Sequence, residues 1–366
     1  GKTVVALLSI LISIDNNYQS CLVAPTEILA FQHFKNFKDK FENLGLVVKV
    51  LTGSTKSSDR KILLNDLKNG SINLLIGTHA IFEQNVIFNN LGYAVIDEQH
   101  RFGVKQRSKI WEKNNPPPHV LIMTATPIPR TLTMSLYGDL DLSIIDELPP
   151  GRKDVITVHR KDKNRLKVFG FIRDQIKQGR QIYIVYPLIE ESKKMDLKYL
   201  EDGLESITRE FDKENYSIGV MHGRMRSSNK DIEMNNFLNG KIDILISTTV
   251  IEVGVNVPNA SVMIIENAER FGLSQLHQLR GRVGRGKYDS YCVLMTNDKI
   301  SEDAKIRIDA MVNSNDGFKI SEVDLRLRGP GDVLGTKQSG VLDFKIADII
   351  EDESILFSVS NEADLL

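Results

Sequence analysis

The chain is poor in cysteine, in net charge and in long apolar runs. Only Cys21 and Cys292 are present in 366 residues. Each lies inside a strand-like run and reads as a small packed hydrophobe, so neither a disulfide framework nor a cysteine-based metal site is implied. That usage suits a reducing compartment. Lys plus Arg total 47 against 48 Asp plus Glu. Overall charge therefore gives no argument for a nucleic-acid partner, although a local basic groove can bind phosphates on a neutral molecule. No apolar run approaches the ~20 residues of a membrane-spanning helix. Low-complexity segments are absent, and no internal repeat is read. What remains is 41% hydrophobic and 26% charged, the make-up of a soluble globular protein with room for two to three domains.

The first 147 residues alternate β-rich runs with helical patterns. Strands are expected at Ser20–Ala24, Val47–Leu51, Asn73–Ile76, Tyr93–Ile96 and Val120–Met123. Thr26–Phe41 reads as a helix with Phe34, Phe37 and Phe41 on one stripe. Leu148-Pro149-Pro150-Gly151-Arg152 then breaks the pattern and reads as a linker. A second series follows at Gln181–Tyr186, Ser217–Met221, Asp243–Ser247, Ser261–Ile265 and Ser290–Met295, with helices near Arg165–Lys177 and Ser228–Leu238. Strands alternating with helices imply parallel sheets, with ligands at the carboxyl ends of the strands in a cleft between the two halves. Beyond residue 298, Lys305–Val312 looks helical. Asp316–Gly340 is rich in glycine and charge without sheet alternation, and Ile346–Leu366 is acidic and leucine-bearing. The expected fold is α/β, with tandem parallel-sheet domains at 1–147 and 148–298 and a small C-terminal module at 299–366.

Four stretches carry chemistry. Gly1-Lys2-Thr3 are the last three positions of a phosphate-binding loop and should open a helix whose first amides cradle phosphates. Lys2 would reach the β- and γ-phosphates, and Thr3 would offer a hydroxyl to Mg²⁺. A full loop needs a preceding strand and more glycine, so the chain reads as a fragment beginning within the motif. Asp97-Glu98-Gln99-His100 follow the apolar run Tyr93–Ile96 at a strand end. A metal bridging phosphate oxygens needs a carboxylate, assigned to Asp97, and an attacking water needs a base, assigned to Glu98. Thr124-Ala125-Thr126-Pro127 end another strand with hydroxyls suited to sensing the γ-phosphate. Finally, Gln278-Leu279-Arg280-Gly281-Arg282-Val283-Gly284-Arg285 interlocks glycines with arginines, and Arg282 and Arg285 have the spacing of arginine fingers.

In this order the motifs resemble those of superfamily 2 helicases and translocases, which use two RecA-like domains around ATP. Ala24-Pro25-Thr26-Glu27 and Gly77-Thr78-His79 resemble loops that hold the tracked strand in that family. The resemblance implies DNA contacts at Pro25, Thr26, Thr78, His79, Gly223 and Thr249. It implies nucleotide contacts at Gly1, Lys2, Thr3, Asp97, Gln278 and Asn256, and coupling roles for Gln99, His100, Thr124 and Thr126. Asn256 stands where family members usually carry Asp, which weakens the expected contact to the ATP ribose. Phe31 stands where Glu is commoner and reads as a surface variation.

Within the superfamily the chain resembles the RecG family. The features are Asp97–His100 followed by Arg101-Phe102-Gly103, the run Thr126–Thr131, and Asp146–Arg152. The run from Asp316-Gly317-Phe318 through Asp324–Asp332 to Gln338-Ser339-Gly340 resembles the translocation module that RecG shares with the transcription-repair coupling factor. The resemblance implies that this module is a helical hairpin and loop, which carries coupling roles onto Arg307 and Arg328 in the hairpin and Gln338 in the loop. The resemblance implies an ATP- and Mg²⁺-dependent double-stranded DNA translocase that remodels stalled forks and Holliday junctions. It further implies a monomer in the bacterial cytoplasm, associated with the nucleoid, with branched DNA and single-stranded DNA-binding protein as partners and no membrane. The family's N-terminal wedge domain and adenine-recognition elements are not expected within these residues. Two alternatives stand beside it: a transcription-repair coupling translocase, and a nucleotide-responsive DNA clamp without turnover.

Overall fold

A computed structural model describes residues 1–98, 109–124, 141, 143–145, 147, 153–187, 203–212, 214–248, 257–328, 352, 355, 358, 359 and 362. The chain divides into two compact units, one carrying residues 1–125 and the other most of the remainder.

In the first unit a five-stranded sheet takes the order β2-β3-β1-β4-β5, and every neighbouring pair is parallel. The strands are β1 (Gln19–Val23), β2 (Val48–Leu51), β3 (Leu74–Gly77), β4 (Leu91–Asp97) and β5 (His119–Met123). Its helices are α1 (Lys2–Asp15), α2 (Glu27–Glu42) and α3 (Ser57–Lys68). Alternate residues of β1 enter opposite cores, as the period of a strand demands. Leu22 packs with Ile10 of α1 and with Phe37 and Phe41 of α2. Cys21 and Val23 pack with Leu63 and Leu67 of α3. With helices on both faces, the central strands are apolar throughout rather than alternating.

The second unit holds a six-stranded sheet in the order β6-β11-β10-β7-β9-β8, again parallel at every pairing. Its strands are β6 (Val155–Lys161), β7 (Gln181–Val185), β8 (Ile218–Met221), β9 (Ile244–Ser247), β10 (Ala260–Ile265) and β11 (Ser290–Thr296). The helices used below are α4 (Arg165–Lys177), α5 (Ser227–Leu238), α6 (Leu273–Arg280), α7 (Glu302–Asn313) and α8 (Gly317–Arg328). Helices α7 and α8 pack on α6 and on each other, inside this unit.

Two points add to the reading of the sequence. The stretch from Asp316, read as rich in glycine and charge without sheet alternation, begins with helix α8. Asp316 caps it, its Oδ1 accepting from the Phe318 amide at 2.9 Å. The reading of no internal repeat is corrected. Elements β8, α5 and β9 follow β2, α3 and β3 at a constant offset of 170 positions. The braced carbonyls keep this offset, although the two bracing glutamines lie 162 positions apart. Gln19 Nε2 donates to the Leu67 and Ile72 carbonyls, and Gln181 Nε2 donates to those of Phe237 and Ile242. Asn69-Gly70 and Asn239-Gly240 match too, each glycine with a positive φ. Most other positions in these segments have diverged, which hides the repeat from a reading of the residues.

Candidate active site

Helix α1 starts where Gly1-Lys2-Thr3 were expected to start one. Gly1 is its N-cap, no side chain caps it, and no acidic residue lies in its first turn. Some helices here are closed at that end, whereas α3, α4 and α5 have no side-chain cap either. Thr26 caps α2 ahead of Glu27, and Ser301 caps α7 ahead of Glu302 and Asp303. The first amides of a helix lack intrahelical acceptors, so α1 keeps donors and the positive end of its dipole for an anion. The Lys2 ammonium donates to the Thr124 carbonyl. Thr124 directly follows β5, and β5 pairs with β4 so that Met123 stands beside Asp97. One edge of the β4–β5 pair therefore gathers Lys2, Thr124, Asp97 and Glu98.

Asp97 closes β4 and Glu98 leaves it with φ at 51°. This is the left-handed region, costly for a side chain with a Cβ, and such strain is characteristic of functional sites. Both acidic residues are half-buried. Asp97 Oδ2 lies 3.2 Å from His33 Nε2 of α2. His33 was missed in the sequence, yet a signal was there. Leu29, His33, Phe37 and Phe41 are all buried in α2 at helical spacing, and His33 is the lone polar member.

The residues expected at DNA are spread over several loops. Pro25 and Thr26 precede α2, where the Thr26 hydroxyl accepts from the Leu29 amide at 3.4 Å. Glu27 accepts from the Ser54 amide and hydroxyl at 3.1 and 2.6 Å, tying the loop after β2 to this turn. His79 is exposed, whereas the Thr78 hydroxyl is buried without a hydrogen-bond partner among the described residues. In the second unit the Gly223 carbonyl accepts from Lys230 Nζ at 2.9 Å.

The glycine- and arginine-rich motif begins in α6, which carries Gln278. Arg282, just beyond, is 5% exposed, while Arg285 is exposed and its Nε donates to the Gly281 carbonyl at 3.1 Å. Burial pushes the Tyr183 phenol up from its ordinary value, opposed by the charges of both arginines. Arg280 is buried and donates to the Met311 and Ser314 carbonyls at 2.9 and 2.7 Å, at the end of α7. Arg307 on α7 donates to the Glu269 carbonyl at 2.8 Å. Gln99, His100, Thr126, Thr249, Asn256 and Gln338 lie outside the described residues, as does the side chain of Arg328.

Comparison with known proteins bears on the family of the chain. Residues 1–135 match the DEAD/DEAH box helicase family and 164–287 the helicase conserved C-terminal domain. Tandem parallel sheets with these motifs define a helicase motor. Residues 314–366 match the C-terminal part of domain 3 of the ATP-dependent DNA helicase RecG. The chain is 52% identical to the Synechocystis ATP-dependent DNA helicase RecG over its whole length, covering 44% of that protein. It is 48% identical to the Bacillus subtilis RecG over 99% of its length, covering 53% of it. A solved structure of RecG bound to a three-way DNA junction superposes with a TM-score of 0.79 at 44% identity, over 97% of this chain and 46% of that one. The chain belongs to the RecG family. It spans about half the length of the curated relatives it matches.

Proposed function

We propose that these residues are the motor of an ATP-dependent helicase that remodels branched double-stranded DNA, stalled forks and four-way junctions included. The observation that carries this is the edge of the β4–β5 pair. An uncapped helix N-terminus, the Lys2 ammonium, two carboxylates and the Thr124 carbonyl meet there. That donor set fits a nucleoside triphosphate and a magnesium ion. Thr3 and Asp97 would hold Mg²⁺, which when bound neutralises charge on the β- and γ-phosphates. Lys2 binds those phosphates. Glu98 orients a water for in-line attack on the γ-phosphorus and accepts its proton as the bond to the ADP oxygen breaks. Arg282 and Arg285 stabilise phosphate charge, and Gln278 and Asn256 contact the nucleotide. Gln99, His100, Thr124 and Thr126 relay the nucleotide state.

Pro25, Thr26, Thr78, His79, Gly223 and Thr249 grip the DNA backbone. Arg307, Arg328 and Gln338, in the 299–366 module beyond the motor halves at 1–147 and 148–298, convert each cycle into movement along the duplex. We place the protein in the bacterial cytoplasm at the nucleoid, acting as a monomer, with single-stranded DNA-binding protein as a partner. The RecG domain match at residues 314–366 favours this over a transcription-repair coupling translocase.

The test is Glu98→Gln in the longest natural polypeptide that carries this chain. It should keep ATP binding, lose junction unwinding, and lower DNA-stimulated hydrolysis by ~10²–10⁴-fold, the scale of a lost general base. Hydrolysis at the wild-type rate would remove Glu98 from the reaction.

A further inference from the structure

His33 is 5% exposed and occupies a position where its stripe otherwise places Leu29, Phe37 and Phe41. A leucine would satisfy that position without cost, whereas a buried imidazole must find hydrogen-bond partners or lose free energy. His33 finds one. Its Nε2 meets Asp97 Oδ2 at 3.2 Å, while Nδ1 is buried without a partner among the described residues. The Phe37 ring lies against the imidazole at 6.0 Å between centroids. Toward an ionised carboxylate, Nε2 is the donor. The imidazole is therefore held by packing on one side and spends its hydrogen bond on the carboxylate.

We propose that His33 is a positioning residue for ATP hydrolysis: its Nε2–H fixes the rotation of the Asp97 carboxylate, and so links α2 to the metal–nucleotide site. The inference rests on the metal-side role given to Asp97 above. Outer partners of ligating carboxylates commonly control metal affinity in this way. The link has a second end. Helix α2 starts at the Pro25-Thr26 turn proposed to hold DNA, about two helical turns before His33. A shift of α2 on engaging DNA would move the donor that orients Asp97, whereas β4 itself is clamped between β1 and β5.

The test compares His33→Met with His33→Gln in the longest natural polypeptide carrying this chain. The two replacements have nearly the same shape, and only Gln keeps a donor. Three quantities are read: binding of Mn²⁺ in the presence of ADP by electron paramagnetic resonance, the Mg²⁺ dependence of duplex-stimulated ATP hydrolysis, and thermal stability. His33→Met should weaken Mn²⁺ binding and raise the half-saturating Mg²⁺ by ~10–100-fold, with Tm held near wild type. His33→Gln should recover most of the loss. Wild-type metal dependence in His33→Met would overturn the inference, and so would equal losses in both variants. Asp97→Asn separates this from the parent reading. If Asp97→Asn binds Mn²⁺ and hydrolyses ATP normally, the assignment of Asp97 fails. If Asp97→Asn is inactive while His33→Met is normal, only the role of His33 fails.

Discussion

At the scale of single residues, the sequence displays chemistry at strand and helix ends but hides it in cores. Lys2, Asp97 and Glu98 were legible because a polar group that ends an apolar strand, or opens a helix after glycine, has few structural reasons to be there. His33 and Arg280 were not legible. Their partners, Asp97 and the Met311 and Ser314 carbonyls, are remote in sequence and come together only on folding. Cys21 and Cys292 were read as packed hydrophobes, and both are fully buried. Burial pushes each thiol up to about 12 from 9.0, opposed in part by Lys113 for Cys21 and Arg280 for Cys292. Both should therefore resist disulfide reagents in the native state and react in denaturant. The raised values also set a sign for stability. Below pH 9 the thiols are neutral in folded and unfolded chains alike. Above it the unfolded chain ionises first, so stability is lost as pH rises from 9 toward 12. Urea unfolding should show a loss on the order of 1–2 kcal/mol per thiol by about pH 10. An unchanged midpoint would mean the thiols ionise as readily in the folded protein as in the unfolded one.

Among the elements, the apolar central strands were legible almost to the residue, because burial on both faces leaves a continuous run of β-branched and aliphatic side chains. Edge strand β6 was missed. Only Val155 is buried along it, and Arg160 and Lys161 close it, so its run carries neither an unbroken apolar stretch nor clean alternation. Helix α6 was read only as part of a basic glycine-rich segment. Its core residues, Leu273, Leu276 and Leu279, are three apart in a helix of 8 residues, too short for the period to stand out. The element with the sharpest energetic consequence is the brace at Gln19. Its amide donates to the Leu67 and Ile72 carbonyls, and its oxygen accepts from the Asn89 and Asn90 amides. Replacement by an apolar side chain strands the Ile72 carbonyl and the Asn89 and Asn90 amides, each costing about 1–3 kcal/mol when left buried and unpaired, while the Leu67 carbonyl keeps the Gly70 amide at 3.2 Å. Gln19→Leu should therefore destabilise the first unit by at least about 3 kcal/mol in denaturant titrations. A loss below 1 kcal/mol would show that water replaces the brace. Gln181 makes the equivalent two donor bonds in the second unit, so Gln181→Leu should weaken that unit in the same way.

Over the whole molecule, the two units repeat one design and diverge in what they carry. The β2-α3-β3 segment and its counterpart β8-α5-β9 share spacing and bracing. The carboxylate pair belongs to the first unit and the Arg282–Arg285 motif to the second. Among the described residues no helix is long and apolar enough to cross a membrane. The central claim is that this motor turns over ATP in response to branched duplex DNA. The most direct measurement is steady-state ATP hydrolysis by the longest natural polypeptide carrying these residues, titrated at fixed salt with forked, four-way, linear duplex and single-stranded DNA. The account predicts strong stimulation by forked and four-way DNA over linear duplex and single strands. Equal stimulation by any duplex would contradict the branched-DNA reading and leave a general translocase in its place.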